Sequence, residues 1–264
     1  MSERIGDLSL EHAVPAGRPR SRSVLFVHGM WGGSWYFRNY VYAAAHAGWD
    51  AWALNLRGHG ESPAPGGLGR VSLADYVTDV RRCLGHLGAT VLVGHSMGGL
   101  IAQKAAEGGG VAAAVLLTSA PPRGINAIEW PVLSRMARYL PAMLAGRAFT
   151  ASRVHADFLF LNGLTPEQRN WAFPRFGAES GRAARELAMG GLAVDAGAIR
   201  CPTLVVGADQ DRITPAALQR RIAGRYRAEY QEAAGHAHML MLEEGWERPF
   251  KDVLAWMERA LDER

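Results

Sequence analysis

The sequence predicts an α/β fold: a mainly parallel central sheet of about seven strands flanked by helices, with a helical cap inserted late in the sheet. Three observations predict it. Short apolar runs alternate with longer stretches of helical periodicity, which implies successive βα units. Apolar residues make up 48% of 264 residues, enough to bury one large α/β core or two small ones. The alternation then stops between residues 121 and 200, where helical patterns replace strands.

The elements follow in order. Leu8–Val14 alternates as an edge strand does, and Ser23–Val27 (SVLFV) is a buried strand. Ala51–Leu56 is the next. Between Ser72 and Leu87 the residues Leu73, Val77, Val80, Leu84 and Leu87 recur at helical spacing. Ser72 and Asp75 form an S-x-x-D cap at the start of this helix, and Gly88 stops it. Thr90–Val93 (TVLV) is a strand that leads into a helical run over Gly99–Glu107. Ala113–Thr118, Thr203–Val206 and Ala228–Glu232 complete seven candidate strands. A terminal helix runs from about Trp246 to Leu261, with Pro249 tolerable in its first turn. Within 121–200, Thr165-Pro166-Glu167-Gln168 reads as an N-cap, a first-position proline and a closing glutamine. That block is rich in aromatics, including Trp130, Phe158 and Trp171. The division is therefore a core domain of residues 1–120 and 201–264 and a helical cap of 121–200.

Composition excludes several classes. The formal net charge is +4, and Lys104 and Lys251 are the only lysines. The basic runs Arg18–Arg22 and Arg220–Arg227 fit solvated faces, so no nucleic-acid partner is expected. Cys83 and Cys201 are far apart and in no ligand-like spacing, which predicts buried thiols and a reducing compartment. The opening MSERIGDLSLEH has no apolar signal region, and no apolar run approaches the ~20 residues of a bilayer span. A soluble cytoplasmic protein is expected, with no membrane span, no cofactor and no metal site. Oligomeric state is not legible.

Chemistry is concentrated in Gly94-His95-Ser96-Met97-Gly98, a G-x-S-x-G match. Five residues alone are a weak signal. Their context is strong, because they follow the strand TVLV and open a helix. A sharp strand-to-helix turn lifts a serine oxygen out of the sheet and faces it with a helix N-terminus, which favours developing negative charge. Ser96 is the candidate nucleophile. It needs a base, and the base needs an orienting acid. Downstream, TLVVGADQDRITP offers Asp209 and Asp211 and EYQEAAGHAHMLMLEE offers His236 and His238, each pair after a strand end, where parallel sheets bind ligands.

These pieces, with HGMWGGSW (28–35) and NLRGHGES (55–62), resemble the α/β-hydrolase superfamily, in its serine-nucleophile esterase and lipase-like branch, from about Ser23 to the C-terminus. The cap is expected to be inserted after the sixth strand and to end just before the seventh. The resemblance selects within each pair. The family acid lies four residues before a proline, which is Asp211. The family base usually follows a glycine, which is His236. Asp209 is then left to cap the turn, and His238 to contact the loop or the substrate. The HG-x loop implies a backbone N–H donor for an oxyanion at Met30, and the residue after the nucleophile implies a second at Met97. His28 and His95 are expected to be structural. Trp31, with Trp130, Phe158, Trp171 and His238, is expected to line the substrate pocket. Asn55 stands where the related loop often has Asp.

The expected activity is hydrolysis of an ester, thioester or lactone of a small, largely apolar substrate through an acyl-enzyme. Serine at position 96 argues against the relatives that use an aspartate nucleophile on epoxides or carbon–halogen bonds. A lyase or acyltransferase sharing the triad, or a ligand-binding receptor on the same fold, are the alternatives.

Overall fold

The computed structural model describes residues 1–17, 19–125 and 134–262. In chain order its strands are β1 (Ser2–Ile5), β2 (Leu8–Ala13), β3 (Ser23–Val27), β4 (Asp50–Leu54), β5 (Thr90–His95), β6 (Val111–Leu117), β7 (Phe149–Thr150), β8 (Ala178–Glu179), β9 (Thr203–Ala208) and β10 (Glu229–Ala233). Its α-helices are α1 (Arg38–His46), α2 (Leu73–Leu87), α3 (Met97–Ala106), α4 (Leu140–Ala145), α5 (Arg153–Leu159), α6 (Pro166–Ala172), α7 (Gly181–Ala188), α8 (Ala216–Tyr226) and α9 (Glu247–Asp262).

Eight strands form the main sheet in the order β1-β2-β4-β3-β5-β6-β9-β10. The pairs β1·β2 and β2·β4 are antiparallel and the others are parallel. The sheet thus has one strand more than the seven expected. The extra strand, Ser2–Ile5, has only one buried side chain, Ile5. It is held by hairpin pairing across a turn in which Gly6 has φ +65°, so hydrophobic patterning could not reveal it.

The strands alternate their side chains between two apolar layers. Val24 and Phe26 of β3 face one layer with Phe37, Tyr40, Phe250 and Trp256; Leu25 and Val27 face the other with Tyr76, Val80 and Ile101. Helix α2 starts at the expected cap: Ser72 accepts from the Asp75 amide while Asp75 accepts from the Ser72 amide, a device worth about 1 kcal/mol. Thr165 and Gln168 form the same box at α6. Along the sheet, connections run from β3 outward to β4 and then return to β5 on the other side. This reversal leaves a crevice at the C-terminal ends of β3 and β5.

The segment between β6 and β9 carries α4 to α7. It is not wholly helical as expected, because Phe149–Thr150 and Ala178–Glu179 pair as a two-stranded antiparallel sheet. Two-residue strands are too short to leave a period-two signature in sequence. Among the described residues no helix is long and apolar enough to cross a membrane.

Candidate active site

Ser96 sits between β5 and α3 at φ 55° and ψ −121°, a conformation that non-glycine residues adopt only when their surroundings hold it. Close packing holds it here. A Cβ on Gly94 would lie 2.3 Å from the Gly98 carbonyl, and one on Gly98 would lie 2.3 Å from the Val27 carbonyl and 2.4 Å from that of His28. The Ser96 amide donates to the Leu117 carbonyl at 3.1 Å, and the Ser96 carbonyl accepts from the Ala120 amide at 2.9 Å. The serine side chain caps nothing, and so is left at the mouth of the crevice.

Asp211 lies in the loop after β9 and is buried. Its Oδ1 accepts from the amides of Ile213 (2.8 Å) and Thr214 (3.0 Å). Its Oδ2 accepts from Thr214 Oγ1 (2.7 Å) and from Nδ1 of His238 (2.8 Å). Burial alone would raise this carboxyl's pKa. The facing imidazole of His238 and the Thr214 donors outweigh it and hold the group below the usual carboxylate range. Asp209 is exposed and accepts from the Gly235 amide at 2.8 Å, which ties the β9 and β10 loops together.

The expected pairing of His236 with Asp211 is corrected. His236 Nδ1 instead faces Glu243 Oε2 at 3.2 Å, and the His236 carbonyl accepts from the Gln210 amide. The reason lies in the backbone of the next turn. The carbonyl of His238 accepts from His95 Nε2 (2.9 Å) and from Thr118 Oγ1 (3.2 Å). These contacts pin His238 over the ends of β5 and β6, beside the serine turn. The buried run Met239–Leu242 follows and anchors it in the core. Because Nδ1–H of His238 donates to Asp211, the neutral ring keeps its lone pair on Nε2. His95 donates from Nε2. Burial, helped by the neighbouring His238, pushes its pKa well below the ordinary value, so it is a neutral strut.

A cavity of about 660 Å³ joins Ser96 and His238. From the sheet side it is lined by Met30, Trp31, Tyr36, His95, Ile213 and Met239. From the segment between β6 and β9 it is lined by Met136, Phe160, Ala184, Leu187 and Met189. Its described lining includes no Asp, Glu, Lys or Arg.

Of the expected pocket residues, Trp31 and His238 line this cavity. Phe158 and Trp171 do not. The Phe158 ring is in contact with the guanidinium groups of Arg135 (3.6 Å) and Arg212 (4.8 Å). Trp171 is 40% exposed, packed edge-on against Trp35 under Arg175. Trp130 falls outside the described residues. Phe160, two residues from Phe158, is the aromatic that enters, stacked on Trp31 at 5.6 Å and 17°. Phe158 lies in the last turn of α5 and Phe160 just past its end, and aromatic content alone does not tell which ring points inward.

The loop after β3 carries one of the two expected oxyanion donors, the Met30 amide; the other, Met97, opens α3. His28 donates from Nδ1 to the Gly29 carbonyl (2.8 Å) and accepts the Leu56 amide on Nε2 (3.2 Å). Burial and the nearby His59 push its pKa down to about 3, so it is neutral. A trans peptide sets C=O and N–H in opposite directions. Holding the Gly29 carbonyl therefore helps to set the direction of the Met30 amide from one side. The Met30 carbonyl in turn accepts from Tyr36 Oη at 2.9 Å. Among the described residues, no hydrogen bond is formed by the Met30 or Met97 amide.

Residues 24–256 match the family model described as "Alpha/beta hydrolase family". The chain is 30% identical to the "Putative carbamate hydrolase RutD" of Variovorax paradoxus (strain S110), over 92% of this chain and 96% of that protein. Its fold is similar to a monoacylglycerol lipase of Paleococcus ferrophilus (TM-score 0.70, 20% identity, 94% of this chain and 97% of that one). It is also similar to tomato methylketone synthase I complexed with 2-tridecanone (TM-score 0.72, 16% identity, 91% and 99%). On its sequence and its sheet alike, the chain belongs to the α/β-hydrolase family.

Proposed function

We propose that this chain is a serine hydrolase of small, neutral, largely apolar esters. Ser96 attacks the carbonyl, and Nε2 of His238 accepts its proton. Asp211 holds the imidazole with its lone pair toward the serine and stabilises the cation that forms. The amides of Met30 and Met97 receive the oxyanion. His238 then returns the proton to the leaving alkoxide, and water repeats the sequence on the acyl-enzyme, releasing the acid. The observation that carries this reading is the 2.8 Å contact of His238 Nδ1 with Asp211 Oδ2 beside a strained serine, all three at one end of the sheet. The segment 121–200 serves as a cap over the serine. A lining without ionised side chains disfavours charged substrates, because a charge moved there from water would find no counterion.

The test is labelling with a fluorophosphonate, alongside the Ser96→Ala variant. Peptide mapping should place the label on Ser96, and the alanine variant should lose turnover by about 10⁴-fold or more. Label elsewhere, or an active alanine variant, would overturn the assignment.

A further inference from the structure

Glu179 is a fully buried carboxylate in β8, contributed by the segment between β6 and β9. Two oxygens meet three hydrogen-bond donors and one imidazole. Oε1 accepts from Tyr76 Oη (2.7 Å) and from the Ser180 amide (2.6 Å). Oε2 accepts from the Trp31 amide (3.2 Å) and stands 3.3 Å from Nε2 of His59, off the line of a hydrogen bond, so that contact is chiefly an ion pair. His59 donates from Nδ1 to the Arg57 carbonyl, which leaves Nε2 as the atom facing the carboxylate.

The Trp31 amide is the important partner. Trp31 has φ +59°, the left-handed region that a bulky residue occupies only under constraint. Its carbonyl accepts from the Gly177 amide at 2.9 Å, so Gly177 and Glu179 grip Trp31 at both backbone groups. The same peptide unit has its other end, the Met30 carbonyl, held by Tyr36 Oη. The unit before it carries the Met30 amide.

We propose that Glu179 is a positioning residue for the oxyanion site: its carboxylate, supplied by the cap, holds the strained Met30–Trp31 peptide and so aims the Met30 amide at the substrate oxygen. This rests on the reading of Ser96 and Met30 given above. Cap and catalytic loop are thereby one mechanical unit, and a cap displaced from Glu179's seat would release the oxyanion donor. Burial opposes both charges. The facing carboxylate outweighs it at His59 and holds that pKa above the ordinary imidazole value, while His59 and the donors hold Glu179 below the ordinary carboxylate value.

The test compares Glu179→Met, Glu179→Gln and Ser180→Ala on p-nitrophenyl butyrate. Methionine has similar volume and no acceptor, which leaves the Trp31 amide without a partner. Glutamine opposes an N–H to the Trp31 or the Ser180 amide and removes the charge. Ser180→Ala is the control for cap anchoring, because its hydroxyl binds the carbonyls of Val71 and Gly69 and not Trp31. A preorganised oxyanion donor is worth roughly 10²–10³-fold in kcat. Misaiming it should cost Glu179→Met at least about 10-fold, and Glu179→Gln several-fold, in kcat with KM nearly constant. Affinity for a butyryl trifluoromethyl ketone, which forms the tetrahedral adduct, should fall in parallel. Ser180→Ala should lower Tm and leave kcat within about twofold. If Glu179→Met does not fold, the glutamine variant decides alone. Unchanged kcat and ketone affinity in a folded Glu179 variant would overturn the proposal, as would equal kcat losses in Ser180→Ala. Ser96→Ala, run in parallel, separates the outcomes: if it keeps turnover, the serine reading fails, and if it is dead while Glu179 variants are normal, only this inference fails.

Discussion

Asp211→Asn changes a single atom, and the structure sets out the consequence. The amides of Ile213 and Thr214 both donate to Oδ1, so the asparagine oxygen must take that place. Its NH₂ then falls at Oδ2, facing His238 Nδ1 and the Thr214 hydroxyl. The hydroxyl has another acceptor, the Thr118 carbonyl at 2.9 Å, and can turn to it. The imidazole has no such freedom. Nδ1 must become the acceptor, the proton moves to Nε2, and the ring can no longer take a proton from Ser96. The expected loss is on the order of 10⁴-fold in kcat, about 5 kcal/mol of barrier. The fold should persist at neutral pH, since every donor keeps a partner. Steady-state kinetics on a p-nitrophenyl ester, with Tm measured alongside and Asp209→Asn as control, test this. Activity within tenfold of wild type, or an equal loss in Asp209→Asn, would show that Asp211 does not set the tautomer of the base.

Two further outcomes are expected. Phe160→Ala should change the ranking of esters of graded chain length, each buried CH₂ being worth up to about 0.8 kcal/mol. Phe158→Ala and Trp171→Ala should alter Tm and leave the ranking alone, and a ranking changed by either of these would contradict the lining described. Stability should also fall at both ends of the pH scale through the His59–Glu179 pair, whose neighbours are Tyr76, Tyr36, His28 and the Arg57 backbone. The depressed Glu179 contributes stability above its unfolded pKa and loses it as pH falls through its folded value. The raised His59 contributes below its unfolded pKa and loses it as pH rises through its folded value. A Tm–pH profile of His59→Asn that keeps the wild-type alkaline decline would contradict this.

The fold was legible where burial on two faces or a helical stripe leaves a pattern. The runs SVLFV, TVLV and TLVV are strands, and the caps at Ser72 and Thr165 form as their spacing requires. Ser2–Ile5 and the short β7–β8 pair were illegible, because backbone pairing with few buried side chains leaves no period. The serine turn was legible because the glycines it needs flank the serine in sequence. Which histidine faces Asp211 was not. Two imidazoles two residues apart point to the same side in an extended chain, and only the hydrogen bonds from His95 and Thr118 distinguish them. A hint was present: His238 directly precedes the apolar run Met239–Leu242, whereas His236 has its own carboxylate in Glu243. Glu179 had no local signal, since its partners Trp31, His59 and Tyr76 are more than a hundred residues away.

The claim on which the mechanism turns is that His238, not His236, serves Ser96. The most direct measurement is the rate of fluorophosphonate labelling and of ester hydrolysis in His238→Ala and in His236→Ala, both checked for folding by Tm. His238→Ala should lose hydrolysis by about 10⁴-fold or more, with labelling slowed accordingly, while His236→Ala should stay within a few-fold of wild type in both. The reverse ranking, or equal losses in two folded variants, would contradict it.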